Sequence, residues 1–224
     1  MREAESYLLG SMLKNHTVKI APKTCVNFGC GDVVKLKGRS PHIEKNVFSL
    51  LESRGCRVVH SDFQKYSGVE VVCDLTNLKS LQFVEDLPAP KIILLSNVLE
   101  HIPKAYLKKV VSNLQSIMSK GDHLIVTVPY RYPYHPDPID NLFRPSSEEL
   151  SNLFGNNFDW LEMKQFDIGS YQDEFSKMSL KKRLGRFLRL FWPLQKPKRY
   201  FSNMHRLTFL YRNYASSVIY GIKN

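Results

Sequence analysis

The sequence predicts an α/β protein, a parallel sheet flanked by helices, on the strength of three observations. Short apolar runs alternate with amphipathic helical stretches over residues 24–154. The first of these runs ends in the glycine turn Gly29-Cys30-Gly31. The next two end in acids, Asp62 and Asp74. In such sheets ligands sit beyond the carboxyl ends of the strands, so the residues just after each strand carry the functional information.

Taken in order, residues 2–14 form a short amphipathic helix ahead of the core, within an N-terminal segment 1–20. Residues 24–28 are a buried strand with its turn. Ile43, Val47, Leu50 and Leu51 fall at helical spacing and predict a helix over 42–53. Residues 57–63 and 71–74 are strand-like. Residues 91–95 are apolar and β-branched, as expected of a central parallel strand. Val110, Leu114 and Met118 mark one face of a helix over 105–119. A strand over 123–130 and a helix over 148–154, begun by two serines, complete the alternation. Two later strands are expected, 158–166 and 216–222, the last of them antiparallel at the C-terminal edge. At 224 residues the chain suits one sizeable domain over 1–224 and is short for two.

Charge and cysteines narrow the class. Twelve of the 32 Lys and Arg lie beyond residue 174, a stretch without Asp or Glu, so the rest of the chain is near neutral and the basicity belongs to the tail. No apolar run approaches the roughly 20 residues of a membrane-spanning helix. Glu3 and Glu5 break the amino-terminal apolar pattern that a signal peptide needs. A cytoplasmic protein is expected, with peripheral attachment at the inner membrane face as an alternative. Cys25, Cys30, Cys56 and Cys73 form no C-x-x-C pair, and three of them lie in or beside strand-like runs. Reduced, mostly buried thiols are expected and no metal site.

The strand ends suggest one nucleotide site. Gly29 and Gly31 let the backbone turn sharply and come close to a ligand. Some thirty residues on, a strand ends in Asp62, whose carboxylate can accept both hydroxyls of an adenosine ribose. Asp74 ends the next strand and can read the adenine amino group. A glycine pair alone is a weak signal. Followed by two strand-end acids at this spacing, it outweighs an ordinary turn.

The run Leu95-Ser96-Asn97-Val98-Leu99-Glu100-His101-Ile102 resembles the fourth motif of class I S-adenosylmethionine-dependent methyltransferases. The glycine loop resembles their first motif, and Gly121-Asp122-His123-Leu124-Ile125-Val126-Thr127-Val128-Pro129 their fifth-strand motif. The resemblance covers residues 24–154 and implies a Rossmann-like sheet and S-adenosylmethionine as cofactor. By position it implies that Gly29 and Gly31 pass the methionine part and Asp62 holds the ribose. Phe63 then lies beside the adenine, Asp74 and Leu75 border it, and Asn97 lines the floor. Asn27 stands where an acid is usual and can still hydrogen-bond the ligand. Val33 stands where a third glycine is usual, which narrows the loop and argues against a dinucleotide.

A methyl donor of this kind is already activated, so alignment of the acceptor is the main task. A hydroxyl acceptor also calls for a base, and His101 and His135 are the candidates. His135 lies in a proline-rich stretch after a strand, with Tyr132, Tyr134, Asp137, Asp140 and Arg144 placed to grip a polar acceptor such as a sugar. This loop and the following Phe143-Arg144-Pro145 resemble methyltransferases associated with bacterial surface-glycan synthesis. The expected activity is O-methylation of a small or lipid-linked acceptor.

Residues 175–212 form a basic amphipathic segment before the last strand. Leu180, Leu184, Phe187, Leu188 and Phe191 make an apolar stripe among Lys181, Lys182, Arg183, Arg186 and Arg189. Such a helix suits an anionic membrane surface. Three rivals accompany this reading: an RNA methyltransferase using the tail for phosphates, a non-catalytic subunit of the same fold at a membrane or in a complex, and, as the weakest, a nicotinamide-dependent dehydrogenase. The oligomeric state is not legible.

Overall fold

The structure, a computed structural model, describes residues 1–17, 21–135, 139–176, 178–190, 209 and 212–224. Seven strands form one sheet: β1 (Thr24–Phe28), β2 (Arg57–Asp62), β3 (Val71–Val72), β4 (Lys91–Ser96), β5 (His123–Arg131), β6 (Phe158–Ser170) and β7 (Asn213–Lys223). Their order is β3-β2-β1-β4-β5-β7-β6. The first five strands pair in parallel, and β7 runs antiparallel to both of its neighbours. The expected antiparallel strand is therefore present, one place inside the edge, and β6 is the edge strand. Strand order reverses at β1, with β2 on one side and β4 on the other. That places a crevice at the carboxyl ends of β1 and β4.

Alternate residues of each strand feed two cores, as the two-residue strand period requires. Val26, Phe28, Ile93, Leu95, Leu124 and Val126 face α6 (Leu107–Ile117) and α7 (Ser147–Phe154) through Val110, Leu114, Ile117, Leu150 and Phe154. Cys25, Ile92, Leu94, Ile125, Val218 and Tyr220 face α1 (Glu3–His16) through Leu9, Met12 and Leu13, together with Val47 and Leu51. The helix expected over 42–53 consists of α3 (Pro41–Ile43), a π-helical stretch Glu44–Phe48 and α4 (Ser49–Glu52). The π turn seats Asn46 on α1. Its amide donates to Ser6 Oγ at 3.0 Å, and its carbonyl lies so close to Gly10 that a Cβ there would meet it at 2.5 Å.

Four helices add to those the periodicity predicts or alter their extent. α2 (Val33–Arg39) starts on Asp32, which accepts from Lys35 N at 3.0 Å. Its Val34 and Leu36 are exposed, so no apolar stripe announces it. α5 (Leu78–Leu81) is a single turn capped by Asn77, and α8 (Tyr171–Ser176) follows β6. α9 (Leu180–Leu190) lies within the basic segment 175–212, of which residues 177, 191–208 and 210–211 lie outside the described residues. All four cysteines are free and buried, as expected. Burial raises the Cys56 and Cys73 thiols to about 11. Among the described residues no helix is long and apolar enough to cross a membrane.

Candidate functional site

The glycine turn and the β2 carboxylate meet directly. Gly31 N donates to Asp62 Oδ2 at 2.8 Å, and Gln64 N donates to Oδ1 at 3.0 Å. Both glycines have positive φ, 68° at Gly29 and 63° at Gly31, which a residue with a Cβ adopts at a cost. Their surroundings differ. A Cβ on Gly29 would meet Val98 Cγ2 at 2.6 Å, whereas at Gly31 the nearest atom would be Leu36 Cδ1 at 3.9 Å. Gly29 is thus required by packing against the β4 loop, and Gly31 leaves open space beside Asp62.

Val33 fits without the third glycine because another glycine compensates. Gly68, with φ 85°, packs on it so closely that a Cβ would lie 2.7 Å from Val33 Cβ. Val33 N also donates to Ser67 O at 2.9 Å. Asn27 is turned along the sheet, its amide 3.1 Å from His60 Nδ1 on β2. It lines a small hollow with Cys30, Val33, Phe48 and His60, on the side away from Val26 and Phe28.

Asp74 follows β3, on the strand next to Asp62. Its Oδ1 accepts from both Thr76 N and Thr76 Oγ1 at 2.8 Å, and its main chain is tied to Ser80. Oδ2 makes no hydrogen bond among the described residues. Leu75 is a core residue whose carbonyl accepts from Asn113 Nδ2 at 2.9 Å. Phe63 is 67% exposed immediately after Asp62. The structure therefore brings Gly29, Gly31, Asp62, Phe63, Asp74 and Leu75 to adjacent strand tips.

On the other side of the crevice Asn97 sits in the left-handed region, φ 56°. Its Nδ2 donates to Glu5 Oε1 at 2.9 Å. The same oxygen accepts from Thr127 Oγ1 at 2.5 Å and Ser96 Oγ at 3.5 Å. Glu5 is 1% exposed, so α1 plants a buried carboxylate on the end of β4 and the middle of β5. Sequence reasoning gives Glu5 no role, because each of these partners is more than ninety residues away. Arg2 extends the contact: its Nη2 donates to Tyr132 OH at 3.1 Å, and its guanidinium lies 4.4 Å from the Tyr214 ring centroid.

Beyond β5 the candidate acceptor loop folds back onto the β4 loop. Asn141 N donates to Glu100 O at 2.9 Å, and its side-chain amide donates to Leu99 O and Ile102 O. His101 Nδ1 lies 2.5 Å from Ile139 O, and its ring is 5.4 Å from that of His135, edge to face. His135 Nδ1 is 3.2 Å from Asp140 Oδ2, which also accepts from His135 N at 3.0 Å and Arg144 Nη2 at 2.6 Å. Burial opposes ionisation of Asp140, but the bonds from Arg144, His135 and Leu142 outweigh it and hold the carboxyl below its usual range. Burial lowers His135, against the opposing pull of Asp140. Tyr134 is exposed, and Asp137 lies outside the described residues. Glu100 is fully buried, and burial pushes its carboxyl up to about 8.

No family model and no curated protein matches the sequence. Solved structures do match in fold. Coclaurine N-methyltransferase bound to N-methylheliamine and SAH is 15% identical with a TM-score of 0.54, over 97% of this chain and 72% of that one. The [4+2]-cyclase SpnF is 11% identical with a TM-score of 0.54, over 96% and 80%. TehB from Haemophilus influenzae is 12% identical with a TM-score of 0.50, over 96% and 62%. The architecture is the Rossmann-like fold of class I S-adenosylmethionine-dependent methyltransferases. Because a cyclase matches as well as a methyltransferase does, the reaction must be argued from the site.

Proposed function

We propose that this chain is an S-adenosylmethionine-dependent methyltransferase that methylates an oxygen of a small or lipid-linked polar acceptor, a sugar hydroxyl being the favoured class. The observation that carries the reading is the Gly31–Asp62 hydrogen bond. It joins the open glycine turn and the β2 carboxylate into one cradle, with Asp74 on the next strand tip. Each oxygen of Asp62 accepts one backbone N–H, so acceptor capacity remains on both for two ribose hydroxyls. The exposed Phe63 ring offers a flat face to the adenine. Asn27 belongs to the wall behind this cradle, since its amide is engaged by His60.

The donor supplies an activated methyl group when bound. What the chain's own residues do is orient the acceptor and manage its proton. Alignment of this kind is worth roughly 7–11 kcal/mol in well-oriented cases. In this reading His101 and His135 serve the acceptor: each Nδ1 is held by an oxygen, which leaves each Nε2 free to take the acceptor's proton. Arg144 and Asp140 hold the loop that carries His135, and Tyr134 remains exposed for contact.

The tail supports a lipid-linked acceptor. Leu180 and Leu184 of α9 are 81% and 59% exposed, beside exposed Lys181 and Lys182. On an anionic bilayer each such basic residue contributes about 1 kcal/mol. Flotation with anionic and neutral vesicles tests this. Binding to the anionic set is expected; failure on both, with salt-sensitive binding to RNA instead, would favour the RNA reading.

One observation favours a second reading, a non-catalytic subunit of the same fold: the Asn97 amide is committed to Glu5 instead of lining an open floor for the cofactor. Calorimetric titration decides the first step. Heat is expected with S-adenosylmethionine and S-adenosylhomocysteine and none with NAD. Silence with both sulfur compounds would end the methyltransferase reading.

A further inference from the structure

Away from the adenosine cradle, a buried carboxylate without a hydrogen-bond partner among the described residues meets two imidazoles, each held by an oxygen at Nδ1. We propose that Glu100, His101 and His135 form a binding site for a divalent transition-metal ion of the zinc type. Among the described residues these are the group whose ligand atoms, one from each, all lie within 4.8 Å of one another. Three kinds of observation support a cation there.

The first is Glu100. Its side chain is 0% exposed, and among the described residues neither carboxylate oxygen has a hydrogen-bond partner. A buried carboxyl group needs a donor, an acceptor for its proton, or a cation, and here the first two are missing. Oε1 lies 4.0 Å from His101 Nε2, a few tenths of an ångström beyond the roughly 3.3–3.6 Å that separates two ligands at a tetrahedral angle on bonds of roughly 2.0–2.2 Å, a gap that a small side-chain rotation closes.

The second is the orientation of the two imidazoles. His101 Nδ1 is 2.5 Å from Ile139 O, and His135 Nδ1 is 3.2 Å from Asp140 Oδ2 and 3.3 Å from Pro133 O. All three partners are acceptors, so both rings carry the proton on Nδ1 and present an Nε2 lone pair. A metal-ligating histidine is held in this way, by an oxygen behind the ring. Arg144 in turn fixes Asp140 at 2.6 Å.

The third is the ligand set. Two imidazoles and one carboxylate suit zinc and its neighbours, and three protein ligands leave a coordination position open. On the acceptor-side reading of His101 and His135, that position would face the acceptor, whose hydroxyl a bound cation would make more acidic. In that case the histidines hold the ion and do not themselves take the proton. The inference rests on the acceptor-side assignment and not on the cofactor.

The test uses the full chain without a polyhistidine tag, stripped by a chelator, in the absence of S-adenosylmethionine. Zinc competed against a chromogenic chelator is expected to bind at one equivalent. Affinity should fall at least tenfold in Glu100→Gln and in His135→Ala. Cobalt(II) is expected to give visible bands without thiolate charge transfer, which excludes the cysteines. No stoichiometric binding, or binding unchanged in the variants, overturns the proposal. If Glu100→Gln does not fold, His135→Ala decides, since His135 is half-buried on a surface loop. A chain that binds zinc but not S-adenosylmethionine would sink the proposed function and leave the metal site standing.

Discussion

On the β1–β3 side of the crevice, the acids are held by the neighbouring strand end and by residues two positions on. Asp62 takes N–H groups from Gly31 and Gln64, and Asp74 closes on Thr76 two residues on. On the β4–β5 side the partners come from far along the chain. Glu5 reaches Ser96, Asn97 and Thr127, while Asn141 and Ile139 reach back to residues 99–102. The first half is a receptor assembled from consecutive strand ends and fixed before any ligand arrives. The second is assembled from the N-terminal helix, which also packs on the sheet through Leu9, Met12 and Leu13, and from a long loop. That division suits an enzyme whose donor is constant and whose acceptor is particular to it.

The sharpest way to break the comparison is Asp62→Ala. Loss of two charge-assisted hydrogen bonds, each about 1.5–3 kcal/mol, should lower S-adenosylmethionine affinity by about 100-fold or more. Circular dichroism should be unchanged. Calorimetry that finds less than a fivefold loss would place the donor elsewhere.

Gly29→Ala probes how the two halves touch. The added methyl meets Val98 at 2.6 Å on a backbone with φ 68°, and the expected loss of stability is about 2–3 kcal/mol by urea unfolding. Gly31→Ala lacks the clash and should cost less than Gly29→Ala.

Glu5→Gln sharpens the contrast from the acceptor side. It turns one acceptor oxygen into a donor facing hydroxyl and amide groups, and about 1–2 kcal/mol of stability should be lost. Donor affinity should move far less than in Asp62→Ala. Equal effects on donor binding would erase the distinction between the halves.

The smallest expected effect lies outside the crevice. Burial lowers the folded-state pKa of His60 and of His123. Near neutral pH both are uncharged in either state. As pH falls below their ordinary value of about 6.5, the unfolded chain takes up protons that the folded chain resists, so stability falls. Melting temperature should decline from pH 7 toward 5.5, and His123→Gln should make that decline shallower.

What the sequence disclosed follows the same division. The glycine turn and the two strand-end acids were legible because their relation is set by strand order, and strands 24–28, 91–95 and 123–130 by their apolar content. α2 carries no apolar stripe, so periodicity misses it. The fit of Val33 depends on Gly68, thirty-five positions away, and the engagement of Asn27 depends on His60 across a strand pair. Glu5 looks like an ordinary first-turn acid of a helix until the fold brings Thr127 to it. Glu100 sits inside a recognisable motif, but only burial and the approach of His135 give it chemistry.

The central claim, one adenosine held across neighbouring strand tips, is tested most directly by a crystal structure with S-adenosylhomocysteine. The account predicts ribose hydroxyls on Asp62, the adenine between Phe63 and Asp74, and the homocysteine passing Gly31. Density on the far face of the sheet, or a ribose that ignores Asp62, would contradict it.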